Sequence, residues 1–316
     1  MRGHRSQGYS FGRGEIVDSC AFAQGKRRRG RRDSVMESVT PYRMENRCCM
    51  KNKIIYVILF FFCLSGTSQT LQAREAYCPP HLIQTVNDQD IYEGLVALRL
   101  LECSTLDEED SSQAYEMVKD CVVRVNMGNA YGSGVIWQLT EDAVIVATNA
   151  HVLAYWDDMT GVLHFPQGYY LNASVLGISE SYDVGFLRVD IEALGYEQLG
   201  TLRFVSADAE IYERLETGDA MFSVGTGMAI GAVEYHEGTV EEPWQYIEEF
   251  ENDMLYGYGY ARTGMSGGGV FDGYGHFIGM LTGGTQRNEI AAVPLPCVVE
   301  AWEEVMEKEG ADGTGR

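Results

Sequence analysis

From about residue 121 onward, apolar and polar positions alternate over short stretches, which is the period of half-buried β-strands. The strands predicted in the first block are 123–125, 135–137, 144–147, 163–165, 174–178 and 185–189. A second strand-rich block covers about 220–293, with glycine turns at 225–227 and 272–275. Many short strands at regular spacing favour an all-β sandwich or barrel.

Helical periodicity flanks this β region on both sides. Residues 74–117 read as a mostly helical lead-in, because Ile91, Leu95, Leu98 and Leu101 (or Leu100) recur at helical spacing.

At the other end, residues 297–308 carry one apolar stripe and predict a helix that packs on the β domain. Glu303, Glu304 and Glu307 are predicted to face away from the domain, which leaves this helix a structural role only.

The charge is unevenly distributed along the 316 residues, whose net charge is −22. Residues 1–53 hold 13 of the 24 Lys and Arg residues but 5 of the 46 Asp and Glu residues. The remainder is strongly acidic, which argues against nucleic acid as a partner. Residues 1–49 are expected to be a disordered basic extension or a spurious upstream start.

Residues 50–73 have the layout of a secretory signal peptide. A short basic start precedes the apolar run 54–64, polar residues follow, and Ala73 suits a cleavage site. The alternative is a short membrane anchor through 54–64, although a full span needs roughly 20 apolar residues. Either interpretation predicts a secreted or extracytoplasmic protein of the cell envelope, free or membrane-tethered.

Four of the eight cysteines follow this segment: Cys78, Cys103, Cys121 and Cys297. In an oxidising compartment they could form two disulfide bonds with three connectivities, and buried free thiols are the equal alternative. They contain no Cys-x-x-Cys pair, so they do not indicate a zinc site. Neither a metal nor a cofactor is expected.

Three residues suggest nucleophilic catalysis when they are taken together. Ser266 lies in the glycine turn 264–269, His151 follows an apolar strand, and Asp183 precedes another. A serine hydroxyl needs a base to take its proton, and an imidazole base needs a carboxylate to orient it. The order His, Asp, Ser along the chain is that of the chymotrypsin-type serine proteases.

The turn also offers an oxyanion hole, formed from the backbone of Gly264, Met265 and Ser266. The N–H groups of Gly264 and Ser266 are the predicted donors, since two preorganised amides stabilise the developing negative charge.

The motifs around these residues resemble the HtrA/Deg-type trypsin-like proteases over about residues 118–305. They are Gly-Ser-Gly-Val-Ile at 132–136, Ala-Thr-Asn-Ala-His-Val at 147–152, Asp-Val-Gly-Phe-Leu at 183–187 and Gly-Met-Ser-Gly-Gly-Gly at 264–269. The resemblance implies a chymotrypsin-like double β-barrel of two six-stranded barrels, with the triad in the cleft between them. The expected domain is 118–308, with barrels at about 118–205 and 215–296 and a C-terminal helix at 297–308.

The sequence departs from that family in two places. Met265 stands where the family usually has Asn or Asp, and the 50 residues after Ser266 are too few for the family's PDZ domain. Within the histidine motif, Asn149 and Ala150 replace a commoner small pair, and this further difference is expected to be harmless.

The resemblance also places Tyr260, Thr282 and Gly283 at the primary specificity pocket. Without an Asp at the pocket base, small or medium apolar substrate side chains are favoured.

The sequence therefore predicts a serine endopeptidase that acts on exported or envelope proteins and peptides. Two alternatives stay open: a catalytically latent, protease-like peptide-binding module, and a protease that cleaves mainly its own lead-in. The oligomeric state is not indicated.

Overall fold

The computed structural model describes residues 88–128, 130–157, 161–228 and 230–313. The predicted basic extension 1–49, the signal segment 50–73 and Cys78 lie outside the described residues. Within the described ranges, no helix is both long enough and apolar enough to cross a membrane.

The described chain is rich in short β-strands and has helices mainly at its two ends. The strands are β1 (Val122–Met127), β2 (Ala130–Leu139), β3 (Ala143–Thr148), β4 (Val162–His164), β5 (Tyr170–Asn172), β6 (Ser174–Ile178), β7 (Gly185–Asp190), β8 (Ala220–Thr226), β9 (Val233–Ile247), β10 (Asn252–Tyr258), β11 (Gly269–Asp272), β12 (Phe277–Gly284) and β13 (Glu289–Pro294). The helices are α1 (Asp88–Ala97), α2 (Ser111–Val118), α3 (Ala150–Leu153), α4 (Tyr196–Leu199), α5 (Ala209–Tyr212) and α6 (Leu295–Gly313).

The first seven strands form one antiparallel sheet in the order β5-β4-β1-β2-β3-β7-β6. The interior strand β3, between β2 and β7, is buried at all six positions, which explains its continuous apolar sequence. The sequence predicts a closed six-stranded first barrel, and the structure has at this place a seven-stranded sheet with two edge strands. Those edges, β5 and β6, are separated by Ala173 alone, and a single residue is too short a loop for an antiparallel hairpin.

The last six strands close into a barrel in the order β10-β13-β12-β11-β8-β9. Strand β8 covers the first two residues of the predicted turn at 225–227 and ends at Thr226, whereas the predicted turn at 272–275 separates β11 from β12. Gly275 there has a φ of 98°, a left-handed conformation that glycine adopts without strain. The described chain thus has the predicted mostly-β, chymotrypsin-like architecture with a C-terminal helix.

Two clusters of buried apolar side chains stabilise these halves. One lies within the first sheet and includes Val125, Val146 and Leu187. The other fills the closed barrel and continues onto the facing side of the first sheet through Ala147 and Phe186. Because this second cluster spans both halves, it fixes the elements that carry the candidate site against each other.

The lead-in is less helical than its sequence pattern predicts. Helix α1 ends at Ala97, and Arg99 has a left-handed φ of 53°. As a result Leu98 and Leu100 are exposed, whereas Leu101 is buried. These leucines are spaced as in a helix, but the helix ends before them at Ala97, which periodicity alone does not reveal.

The C-terminal helix α6 is longer than the predicted 297–308, and the prediction that Glu304 faces away from the domain was wrong. Its carboxylate accepts a hydrogen bond of 2.6 Å from the hydroxyl of Ser179. Amphipathic periodicity places Glu304 at the border of the apolar stripe, and it cannot identify a polar partner contributed by a distant loop.

The three described cysteines, Cys103, Cys121 and Cys297, are free and buried. The Cys103 and Cys121 side chains are hydrogen-bonded neighbours, and burial raises the pKa of the Cys121 thiol well above its ordinary value. The sequence left open whether the cysteines form disulfide bonds or are buried free thiols, and the three described cysteines are buried free thiols.

Candidate active site

His151 is held at the start of a single helical turn. Strand β3 ends at Thr148, Asn149 is extended, and α3 begins at Ala150. The next two side chains, Val152 and Leu153, are buried and anchor this turn on the first sheet. The imidazole of His151 keeps about one third of its surface exposed, at 32%.

Asp183 lies in the loop before β7 and makes two contacts with His151. One carboxylate oxygen, Oδ1, accepts the backbone N–H of His151 at 2.9 Å. The other, Oδ2, lies 2.7 Å from the ring atom Nδ1. An ionised carboxylate can only accept, so this contact places a proton on Nδ1 and leaves Nε2 of the neutral ring as a proton acceptor.

Ser266 is at the tip of a turn that requires glycine on both sides. Gly264 has a φ of 99° and Gly267 a φ of 83°. A Cβ atom on Gly264 would lie 2.2 Å from the Tyr131 ring, and one on Gly267 would lie 2.2 Å from the carbonyl oxygen of Ser133. Backbone conformation and close packing therefore both exclude a side chain at these two positions.

The Ser266 residue itself is buried, with 1% of its surface exposed. Its carbonyl oxygen accepts the Ser133 N–H at 2.7 Å, which joins the turn to β2 of the first sheet. Its hydroxyl donates to the carbonyl oxygen of Thr282 at 2.8 Å. Since a hydroxyl has one proton, Ser266 does not donate to His151 in this conformation.

Asn149 connects the two halves of the site, a role that the sequence did not reveal. Its side-chain amide donates to the carbonyl oxygen of Asp183 at 3.0 Å and to the hydroxyl of Thr282 at 3.1 Å. Its position two residues before His151 is the one signal that could have identified it. Asn149 is fully buried, so the two bonds tie the residues around Asp183 to strand β12.

Of the three residues predicted for the oxyanion hole, Met265 differs from its neighbours. Its N–H donates to the carbonyl oxygen of Arg262 at 3.0 Å, so this amide is not available to a ligand. Its side chain is fully buried and packs against Gly225. By contrast, the N–H groups of Gly264 and Ser266 donate to no acceptor among the described residues.

The predicted specificity residues occupy different environments. Thr282 and Gly283 are buried on β12, whereas Tyr260 is 44% exposed on the loop after β10. The Tyr260 ring contacts the edge of His236, with a centroid distance of 4.7 Å. Its carbonyl oxygen accepts the Ser223 hydroxyl at 3.2 Å. This side chain is thus turned toward β9 and the surface, and Thr282 is the pocket candidate that contacts Ser266.

Among the described residues, no group of three or more His, Cys, Asp or Glu side chains is arranged to hold a metal ion.

Residues 132–280 match the family model of the trypsin-like peptidase domain. No curated protein sequence matches the chain. Among matching solved structures is the HtrA-type protease AlgW with a tripeptide, at 21% identity and a TM-score of 0.53, covering 63% of this chain and 64% of that one. A variant of that protease with a decapeptide matches at 17% identity and a TM-score of 0.52, covering 63% and 67% respectively.

The likeness to the AlgW structures is one of fold, and this chain spans less than two thirds of the first of them. The family-model match includes the segments that carry His151, Asp183 and Ser266. Together with the sheet and barrel described above, these findings show that residues 132–280 are similar to a trypsin-like peptidase domain and that the chain shares the chymotrypsin-like fold of the HtrA-type protease structures.

Proposed function

We propose that this protein is a serine endopeptidase that hydrolyses peptide bonds through an acyl-enzyme intermediate. The observation that carries the proposal is the 2.7 Å contact between His151 Nδ1 and Asp183 Oδ2, because it sets the imidazole in the tautomer that a general base requires. The glycine turn with Ser266 supplies the nucleophile and two unengaged amides.

In the acylation step the Ser266 oxygen attacks the carbonyl carbon of the scissile bond, and His151 Nε2 takes the hydroxyl proton. Asp183 holds the Nδ1 proton and stabilises the imidazolium that forms. The imidazolium then protonates the leaving amine, which departs as the acyl-enzyme forms. In the second half a water molecule gives its proton to His151 and attacks the ester carbon. The imidazolium then returns this proton to the Ser266 oxygen as the ester C–O bond breaks, which releases the acid product and restores the neutral imidazole.

The negative oxygen of each tetrahedral intermediate is assigned to the N–H groups of Gly264 and Ser266. Each such donor contributes roughly 3 kcal/mol to transition-state stabilisation in comparable sites. Met265 is left out of this assignment because its N–H is bonded to Arg262. Its buried side chain instead supports the turn from within the barrel.

The substrates are proposed to be exported or envelope proteins and peptides, in line with the predicted signal segment 50–73. The AlgW structures are described as complexes with a tripeptide and a decapeptide, which supports an extended peptide as the ligand of this fold. Of the three residues predicted for the primary pocket, Thr282 and Gly283 are assigned to it, whereas Tyr260, whose ring contacts His236 of β9, is not. They include no acidic side chain, which favours small or medium apolar residues over Lys or Arg.

A second candidate function is a latent peptide-binding module, and one observation favours it. The Ser266 hydroxyl donates to Thr282 rather than to the imidazole. Activity then requires the hydroxyl to rotate, and a protein that keeps this bond would bind peptides without cleaving them.

Hydrolysis of a mixed peptide library by the purified protein, with products identified by mass spectrometry, tests the proposal. Cleavage by the wild type that is lost in Ser266→Ala and strongly reduced in Asp183→Asn supports the enzyme. Peptide binding of equal strength in wild type and Ser266→Ala, with no cleavage in either, supports the latent module.

A further inference from the structure

The C-terminal helix α6 packs on the part of the first sheet that carries Asp183. The helix directly follows β13 of the closed barrel, and its Trp302 ring meets Phe186 of β7 with a centroid distance of 5.0 Å. Val305 contacts Gly177 of β6 so closely that a Cβ there would lie 2.5 Å from Val305 Cγ1. Helix α6 therefore reaches both strands that flank residues 179–184, which we call the aspartate loop.

Glu304 of this helix binds the aspartate loop with both carboxylate oxygens. Oε2 accepts the hydroxyl of Ser179 at 2.6 Å, and Oε1 accepts the backbone N–H of Glu180 at 2.9 Å. The Ser179 oxygen in turn accepts the N–H groups of Ser181 and Tyr182, each at 3.1 Å. One carboxylate and one hydroxyl thus fix three consecutive amides immediately before Asp183.

These contacts require an ionised Glu304. The hydrogen bonds from Ser179, Lys308 and the Glu180 amide lower the pKa of Glu304 to about 2. The carboxylate stays charged throughout the pH range in which a neutral imidazole can act as base. Lys308 lies 2.9 Å from Glu304 but is half exposed, so its own contribution is small.

Two further contacts hold the same loop from the side of the second barrel. The Tyr182 hydroxyl donates to the carboxylate of Glu300, one turn before Glu304 on α6. The Asn252 side chain donates to the carbonyl oxygen of Ser181 at 3.2 Å. Among the described residues, the side-chain hydrogen bonds that reach the loop from α6 and β10 fall on residues 179–182, and the next residue is Asp183.

The position of Asp183 matters because its carboxylate serves two donors of His151 at once, at 2.9 and 2.7 Å. A carboxylate satisfies both the backbone amide and the ring only when its own backbone is fixed. We propose that Glu304, assisted by Glu300, is a positioning residue for the Asp183–His151 pair, so that the C-terminal helix sets the geometry of the general base. The effect on catalysis rests on the proposed function; the effect on the pair does not.

A purely structural role of α6 and a positioning role predict different effects of replacing Glu304. If α6 only covers apolar surface, replacing Glu304 lowers the free energy of unfolding but leaves the His151–Asp183 hydrogen bond unchanged in the molecules that are folded. If Glu304 positions the loop, replacing it weakens this hydrogen bond in the folded protein as well. The Nδ1 proton of an imidazole bonded to a carboxylate resonates far downfield in proton NMR spectra and reports this bond directly.

The experiment compares the full chain with Glu304→Ala, Glu304→Gln and the matched control Glu303→Ala. Glu303 is the preceding residue on α6, and it is exposed, with no hydrogen bond or ion pair among the described residues. The downfield proton is assigned by its disappearance in His151→Ala. Thermal unfolding establishes which variants are folded at the temperature of the measurement.

We expect Glu304→Ala to shift or broaden the downfield resonance and to lower kcat by about 10-fold to 100-fold, with KM within about twofold, because small displacements of a catalytic group cost about this much. Glu304→Gln keeps the shape of the side chain and one acceptor oxygen, so its downfield resonance and its kcat should lie between those of Glu304→Ala and the wild type. Glu303→Ala should match the wild type.

An unchanged downfield resonance in folded Glu304→Ala or Glu304→Gln would overturn the proposal. So would a kcat loss equal to that of Glu303→Ala. If the wild type shows no peptidase activity at all, the proposed function fails, while the resonance still decides whether Glu304 positions Asp183.

Discussion

The hydroxyl of Ser133 on β2 donates a hydrogen bond of 2.7 Å to the carbonyl oxygen of Gly264. The opposite end of that same peptide unit, the Met265 N–H, donates to Arg262 at 3.0 Å. The peptide between the two proposed oxyanion donors is therefore held at both ends, from the first sheet and from within its own turn. A serine in the Gly-Ser-Gly motif thus orients a turn that lies 131 residues later in the chain.

Ser133→Ala removes a single oxygen atom, and it should nevertheless lower both stability and catalytic activity. The buried carbonyl oxygen of Gly264 loses its 2.7 Å donor and keeps only the 3.5 Å contact with the Thr226 hydroxyl. We therefore expect the free energy of unfolding to fall by about 1–3 kcal/mol. Misplacement of the oxyanion amides should lower kcat/KM by about 10-fold to 100-fold. Urea unfolding and peptide hydrolysis measure the two effects. Ser174→Ala, at an exposed serine, is the control, and equal activity of both variants would contradict this role of Ser133.

Gly264→Ala should abolish most activity because the new methyl group has no space. It would lie 2.2 Å from the Tyr131 ring, and the turn would have to move. Gly218→Ala is a matched control, since Gly218 has a similar φ of 97° but no atom within 4 Å of the place that a methyl group would occupy. Both variants should lose stability by about 1–3 kcal/mol from backbone strain.

Hydrolysis assays should then separate the two glycine variants. We expect kcat/KM to fall by about 100-fold or more in Gly264→Ala and to stay near the wild-type value in Gly218→Ala. Equal activity of the two would contradict the prediction that a methyl group at Gly264 has no space beside Tyr131.

The free energy of unfolding should depend on pH through His276, which lies in the turn between β11 and β12. Its Nδ1 lies 2.8 Å from Asp272 Oδ2, and this hydrogen bond raises the pKa of His276 above its ordinary 6.5. Because the pKa is raised in the folded protein, protonated His276 contributes fully to the free energy of unfolding below pH 6.5. This contribution is lost as the pH rises through the higher pKa of the folded protein. The stability difference between wild type and His276→Gln should therefore shrink between about pH 6 and pH 9.

Urea unfolding at several pH values measures that difference. The comparison with the variant is needed because burial lowers the pKa of His164 and His236, which act in the opposite sense. A difference that stays constant over this range would contradict the assigned role of the Asp272–His276 pair.

The sequence was sufficient to predict the architecture because strand periodicity and glycine turns are local signals. It also predicted that His151 and Asp183 act together, and the structure places their side chains 2.7 Å apart. The pattern at Ser266 was informative for the same reason, since the left-handed φ values of Gly264 and Gly267 are a local requirement of the turn.

Long-range polar contacts were not predictable in this way. Asn149 looked neutral because its partner Thr282 is 133 residues away, and Glu304 looked solvent-facing because Ser179 is 125 residues away. The same holds for the cysteines, whose spacing does not determine whether they pair. Such contacts depend on how the two halves pack, and no local pattern encodes that arrangement.

The most direct test of the central claim is labelling with a fluorophosphonate probe, which reacts with activated serine nucleophiles, followed by mass spectrometry to locate the adduct. The account predicts modification of Ser266 in the wild type, and none at this residue in His151→Ala, because the hydroxyl then has no base. Folded wild-type protein that remains unlabelled, or that is labelled equally well without His151, would contradict the assignment of Ser266 and His151 as nucleophile and base.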